Sequence, residues 1–185
     1  MKATWIFGIL LAAEMTARVG NRSGPSLMVL LTNEAVPLAD IQTATSRTTW
    51  IFADIGVRLE WRANLPSQGG KTAPGVVVKL NISESTECRS DALGCAFPYA
   101  GSSRSISVSY ARIKETYPPG MQVTVLAHVM AHEIAHVLQG VYRHSDSGIM
   151  KAHWIGKDAK LMQVRSLRFA EFDADLILSG LKQAR

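Results

Sequence analysis

Five histidines occur in the chain, all between His128 and His153, and three of them lie in the run His132-Glu133-Ile134-Ala135-His136-Val137-Leu138-Gln139-Gly140-Val141-Tyr142-Arg143-His144. Its first five residues spell H-E-x-x-H. On a helix, residues four apart share a face one turn apart, so two imidazoles at this spacing can hold one metal ion. Zinc in hydrolytic sites takes three protein ligands and leaves its fourth position to water, whose pKa falls to near 7. Glu133, beside the first ligand, is then the general base that takes the water's proton and passes it to a leaving amine. The pattern points to zinc-assisted hydrolysis of a peptide bond with one catalytic Zn2+.

The third ligand has to come from beyond the motif helix, because the helix face that carries His132 and His136 cannot also enclose the ion. His144 follows Gly140, where the chain can turn and bring an imidazole back. His153 and the carboxylates Glu171, Asp173 and Asp175 are the rival third ligands. His128 lies one turn before His132, too far along the helix to share an ion with His136, and reads as a packed histidine. Trp154 reads as core. Ser145 has no partners for a nucleophilic triad. Met150 follows a turn-forming stretch and by its type alone could equally be core.

The elements that must place these residues follow from periodicity. Ser26 to Leu31 is a short apolar run bounded by turn formers, a buried strand. Leu38, Ile41, Ala44, Thr48, Ile51 and Ile55 recur at three to four, a helical stripe that Gly56 ends. Val57, Leu59 and Trp61 alternate with charged residues as in a half-buried strand. Strand, helix and strand in that order predict a parallel pair. A turn-rich stretch from Pro66 to Gly75 leads to a strand over Val76 to Ile82, and Ile106, Val108 and Tyr110 mark another. Leu93 to Pro98 is short and holds a proline, which confines it to a sheet edge. A long helix is expected from Gln122 to Gln139, ended by Gly140, and a last amphipathic helix from about Asp158 to Leu181.

At 185 residues the chain most simply forms one domain. Its 47% hydrophobic and 19% charged residues are those of a globular protein rather than a disordered one. The net charge of +5 is scattered, with no basic block or aromatic platform, so no nucleic-acid partner is expected. The apolar run Thr4 to Ala13, after Lys2, is too short for a bilayer span, which needs about 20 residues, and matches a signal-peptide core. Residues 1–20 are therefore a candidate signal peptide, residues 21–185 the catalytic domain, and a secreted or periplasmic location is expected. Cys88 and Cys95 would pair in an exported chain and stay reduced in a cytosolic one. Their separation is unlike that of zinc-binding cysteines.

The segment Ala131 to Met150 resembles the signature of metzincin zinc peptidases, H-E-x-x-H-x-x-G-x-x-H followed by a methionine turn. His144-Ser145-Asp146-Ser147-Gly148-Ile149-Met150 is similar to its ending, and the serine after the third histidine is closest to the matrix-metalloproteinase branch. The resemblance implies an α+β fold with a mixed, twisted sheet, an active-site helix, a methionine turn at Met150 and a C-terminal helix. It also implies that Gly94, Cys95, Ala96 and Phe97 belong to an edge strand lying antiparallel to a peptide or protein substrate. At most it gives Ser145 a hydrogen bond near the site. The glycine comes one residue late, with Gln139 in its usual place. The third histidine comes two late, with Tyr142 in its place. Ala152 stands where some branches carry a tyrosine, and there is no cysteine-switch propeptide. Two other functions fit the same residues: a zinc-stabilised binding module without turnover, and a zinc hydrolase of a non-peptide amide.

Overall fold

Leu27 and Val29 are completely buried, while Ser26, Met28 and Leu30 between them are only half covered. That alternation makes β1 (Ser26–Asn33) a strand with one face turned to the core. This computed structural model describes residues 24–63, 76–84, 87–97 and 104–183. The candidate signal peptide, the turn-rich stretch from Pro66 to Gly75 and Pro98 lie outside the described residues.

The helical stripe after β1 forms α1 (Leu38–Ala53), which buries Ile41, Ala44, Thr48, Ile51 and Phe52. The chain returns in β2 (Arg58–Ala63), parallel to β1 as the strand-helix-strand order predicts. Next come β3 (Val76–Ser83), β4 (Gly94–Phe97) and β5 (Arg104–Ser109). The strand order is β2-β1-β3-β5-β4; β4 alone runs antiparallel to its neighbour and forms one edge. In β3, buried Val78, Leu80 and Ile82 alternate with exposed Lys79 and half-buried Asn81, so the helices cover one face of the sheet.

Tyr110 does not continue β5. Ser109 ends the strand, and its hydroxyl accepts from the Arg112 N–H (3.4 Å), capping a helix that periodicity alone missed, α2 (Tyr110–Thr116). The long helix α3 (Pro119–Gln139) begins three residues ahead of expectation. Pro119 occupies its first turn, where a missing N–H costs nothing. It ends where expected, at Gly140, whose left-handed φ of 65° is a common helix stop. Every residue from Thr124 to Leu138 is buried, because the sheet, α1 and the later helices enclose the rod. The Thr48 hydroxyl ties α1 to it, within 3.1 Å of the Ala127 carbonyl.

The single last helix expected from Asp158 to Leu181 is two. α4 (Gly156–Val164) and α5 (Glu171–Gln183) are separated by an extended segment that starts at Arg165. Tertiary hydrogen bonds there replace helical ones: the Leu167 N–H donates to His128 Nε2 (3.0 Å), and the Arg168 carbonyl accepts from the Ile149 N–H (3.0 Å). Leu167 and Phe169, both buried, alternate with exposed Arg168 as in a strand. α5 then crosses α3 so closely that a side chain at Gly180 would overlap the Leu138 carbonyl.

His128 is thus a buried strut, fully enclosed, with Nδ1 donating to the Thr124 carbonyl (2.7 Å) and Nε2 accepting from Leu167. Burial pushes its pKa down to about 4, against 6.5 for a free imidazole. The unfolded chain therefore binds a proton that the folded one refuses. The strut's contribution is whole above pH 6.5 and is lost as the pH falls toward about 4. His128→Leu strands the Leu167 N–H and is expected to cost about 1–3 kcal/mol at pH 7.5. The gap from the parent should narrow at pH 4.5, as read from urea midpoints of both chains in chelator. A gap that stays constant with pH would show that His128 is not held neutral. Gly180→Val is expected to lower the thermal midpoint of the fold by forcing α5 off α3, a cost of about 1–3 kcal/mol.

Candidate metal centre

His132 and His136 project from one face of α3, 8% and 5% exposed. Each ring is oriented by a backbone carbonyl, His132 Nδ1 on Ile149 (2.8 Å) and His136 Nδ1 on Val141 (3.2 Å). A carbonyl only accepts, so each Nδ1 carries the proton and each neutral ring has a bare lone pair on Nε2. The two Nε2 atoms stand 2.9 Å apart. With both protons committed elsewhere, this is a meeting of two acceptors rather than a hydrogen bond. A proton between them is disfavoured, since burial and the neighbouring imidazole push the His132 pKa down to about 3, and burial takes His136 to about 4. A cation between them would satisfy both lone pairs together.

A third imidazole closes the group. Ring nitrogens of His132, His136 and His144 all lie within 4.8 Å of one another. The centroid of His144 is 5.3 Å from that of His132 and 5.0 Å from that of His136. Burial lowers its pKa too, although this ring is exposed. Three neutral imidazoles with convergent nitrogens suit a divalent metal such as zinc, whose Zn–N bonds of about 2.0–2.1 Å set nitrogens roughly 3.3 Å apart. Among the described residues no other group of three potential ligands converges. His153 lines the same cleft outside the triad. Glu171 and Asp175 are exposed on α5.

The late glycine and late third histidine are absorbed by the loop after α3. Gly140 turns the chain, the Val141 carbonyl reaches back to His136, and Tyr142, 63% exposed, borders the cleft. Arg143 and Ser145, on either side of His144, both bond the carboxylate of Asp173. Ser145 is thereby the hydrogen-bonding residue that the resemblance allows. Met150 is fully buried, and its carbonyl accepts from the Ser145 N–H (2.7 Å), closing the turn whose Ile149 carbonyl orients His132. Trp154 is half-buried rather than core. Its ring meets His132 edge-on at 5.7 Å, and its indole N–H reaches the Gly148 carbonyl.

Glu133 lines the cleft beside the triad, 7% exposed, and its carboxylate has no hydrogen-bond partner among the described residues. Burial raises its pKa to about 8, and a cation held by the neighbouring histidines would oppose that rise by favouring the charged carboxylate. The cleft, of about 710 Å3, is bordered by Leu93 to Ala96, with β4 at the sheet edge. Gly94 runs directly over Glu133: a Cβ there would lie 3.1 Å from Glu133 Cγ and from the Ser107 carbonyl. Cys88 and Cys95 form a disulfide that ties the preceding loop to β4. Arg112 secures that loop by donating to the Arg89 and Ala92 carbonyls (2.7 Å each).

The sequence names His132, His136 and His144 but offers Asp173 only as a rival ligand, whereas the fold sets its carboxylate against Arg143 and Ser145 on either side of His144. The signal was faint, because nothing links Arg143 and Ser145 to an aspartate on a distant helix until the chain folds. The orienting carbonyls of Val141 and Ile149 belong to backbone and carry no residue-type signature at all.

No protein-family model matches the chain, and no curated protein does. Among solved structures it is similar to the crystal structure of archaemetzincin from Methanopyrus kandleri, with a TM-score of 0.56 and 17% identity. The match covers 89% of this chain and 99% of that one. The comparison does not single out the matrix-metalloproteinase branch. What it shows is the architecture: this chain has an α+β, zincin/metzincin-like fold with a mixed five-stranded sheet.

Proposed function

We propose that this chain is a zinc-dependent endopeptidase. The observation that carries the reading is the pair of buried, proton-free Nε2 atoms facing each other beside His144 and an unpartnered carboxylate, in a cleft along an open sheet edge. His132, His136 and His144 would hold the metal. A zinc ion there supplies Lewis acidity and lowers the pKa of water. Glu133 accepts the proton of the attacking water and delivers it to the departing amine as the C–N bond breaks.

The substrate is a peptide lying extended along β4, paired with the backbone groups that β5 leaves unused. Gly94, Cys95, Ala96 and Phe97 form that ledge, and the Cys88–Cys95 bridge stiffens it. The disulfide supports an oxidising location, secreted or periplasmic. Ser145 after the third histidine is the feature that favours a matrix-metalloproteinase-like branch. No helix among the described residues is long and apolar enough to cross a membrane.

Purified protein is expected to carry close to one equivalent of zinc and to cleave casein or gelatin until a chelator is added. Glu133→Gln should keep the zinc and the fold yet lose hydrolysis by at least about 100-fold. Full turnover in that variant would remove Glu133 from the chemistry. Zinc retained without cleavage of any peptide panel by the parent chain would instead favour a binding module. His144→Ala is expected to weaken zinc binding sharply while His153→Ala leaves it unchanged; the reverse pattern would reassign the third ligand.

A further inference from the structure

The two helix-borne histidines and the third one are held in different ways. His132 and His136 are built into α3, a rod buried on all sides. His144 sits on an exposed loop with no element of its own. Its neighbours on both sides are nevertheless fastened to one point. The Ser145 hydroxyl lies 2.8 Å from each carboxylate oxygen of Asp173, and Arg143 Nη1 donates to Asp173 Oδ1. Arg143 Nη2 also donates to the Ser145 hydroxyl (3.1 Å), and its guanidinium lies 4.9 Å over the Phe172 ring. Asp173 itself is completely buried in the first turn of α5, and its carbonyl accepts from Gln139 at the end of α3 (3.5 Å).

A buried carboxylate is expensive to keep unless charged and hydrogen-bonding partners surround it. Here its partners are the residues flanking His144, so the position that satisfies Asp173 also sets the backbone from which the imidazole projects. Gly180 allows α5 to dock against the Leu138 carbonyl, so the anchor is itself fixed to α3. We infer that Asp173 is the positioning residue of the third ligand, coupling the docking of α5 to the completion of the metal centre without touching the ion. The inference rests on the three-histidine reading above.

Zinc affinity, measured by competition with a chromogenic chelator, separates the two. Asp173→Ala is expected to weaken binding about 10–100-fold, the usual effect of losing a residue that orients a ligand. Asp175→Ala, exposed on the same helix, should leave affinity unchanged. In a His144→Ala background, Asp173→Ala should add no more than about twofold, since the ligand through which it acts is already gone. Cobalt put in place of zinc should give Asp173→Ala absorption bands that shift toward those of His144→Ala. Ser145→Ala keeps the Arg143–Asp173 pair and is expected to fold as the parent and lose about tenfold; it decides the question if Asp173→Ala does not fold.

If the parent holds no stoichiometric metal, or His144→Ala binds zinc as tightly as the parent, the metal-centre reading falls and this inference with it. If those two results stand but Asp173→Ala and Ser145→Ala bind zinc like the parent, only the anchoring role of Asp173 is overturned. That role is equally overturned if the losses from His144→Ala and Asp173→Ala multiply.

Discussion

Two imidazole nitrogens without protons face each other at 2.9 Å inside this protein, and the rest of the site is arranged around that contact. Left alone, two buried lone pairs at that distance repel. The protons that could relieve them are committed to carbonyls at Ile149 and Val141. Protonating either ring is opposed by burial. A polypeptide keeps such a conflict only when something that binds both nitrogens repays it, and a divalent cation does so directly. Hydrogen-bond accounting alone thus marks the three histidines as a group that could hold a metal ion.

The same accounting explains why the fold needs its less regular parts. One orienting carbonyl comes from the turn that Gly140 opens, the other from the turn that ends at Met150. The Met150 turn is held to Arg168 through the Ile149 N–H. Arg168 lies in the extended segment between α4 and α5, which His128 pins through Leu167. A continuous helix from Asp158 to Leu181 would spend those backbone groups on itself and leave the turn without its partner. The break is therefore part of how His132 is aimed.

Much of this was legible in the residues. The H-E-x-x-H spacing, the return of His144 after Gly140 and the parallel β1–β2 pair follow from local rules of period and turn chemistry, and the edge position of Gly94 to Phe97 from a proline and a family resemblance. The two errors of element have one cause. Tyr110 continues an apolar alternation, and Leu161, Leu167 and Phe172 extend a helical stripe, so periodicity alone carried each element past its true end. Ser109 capping α2 is a local signal that could have been read. The hydrogen bond between Leu167 and His128 spans 39 positions and could not. The contacts of Asp173 were invisible for the same reason: its partners lie 28 and 30 residues away.

The division of labour among the three histidines bears on how the centre forms. Two of the proposed ligands belong to α3, whose residues from Thr124 to Leu138 are all buried. The third projects from the loop after Gly140, whose Arg143 and Ser145 bond Asp173 of α5. A metal held by all three would draw on both α3 and the C-terminal elements, and would favour their native arrangement over any looser one. The exposure of His144 fits the arrangement. A ligand on the solvent side leaves an entry path for the ion and keeps the cleft open toward β4, while the buried anchor supplies the precision that an exposed loop lacks.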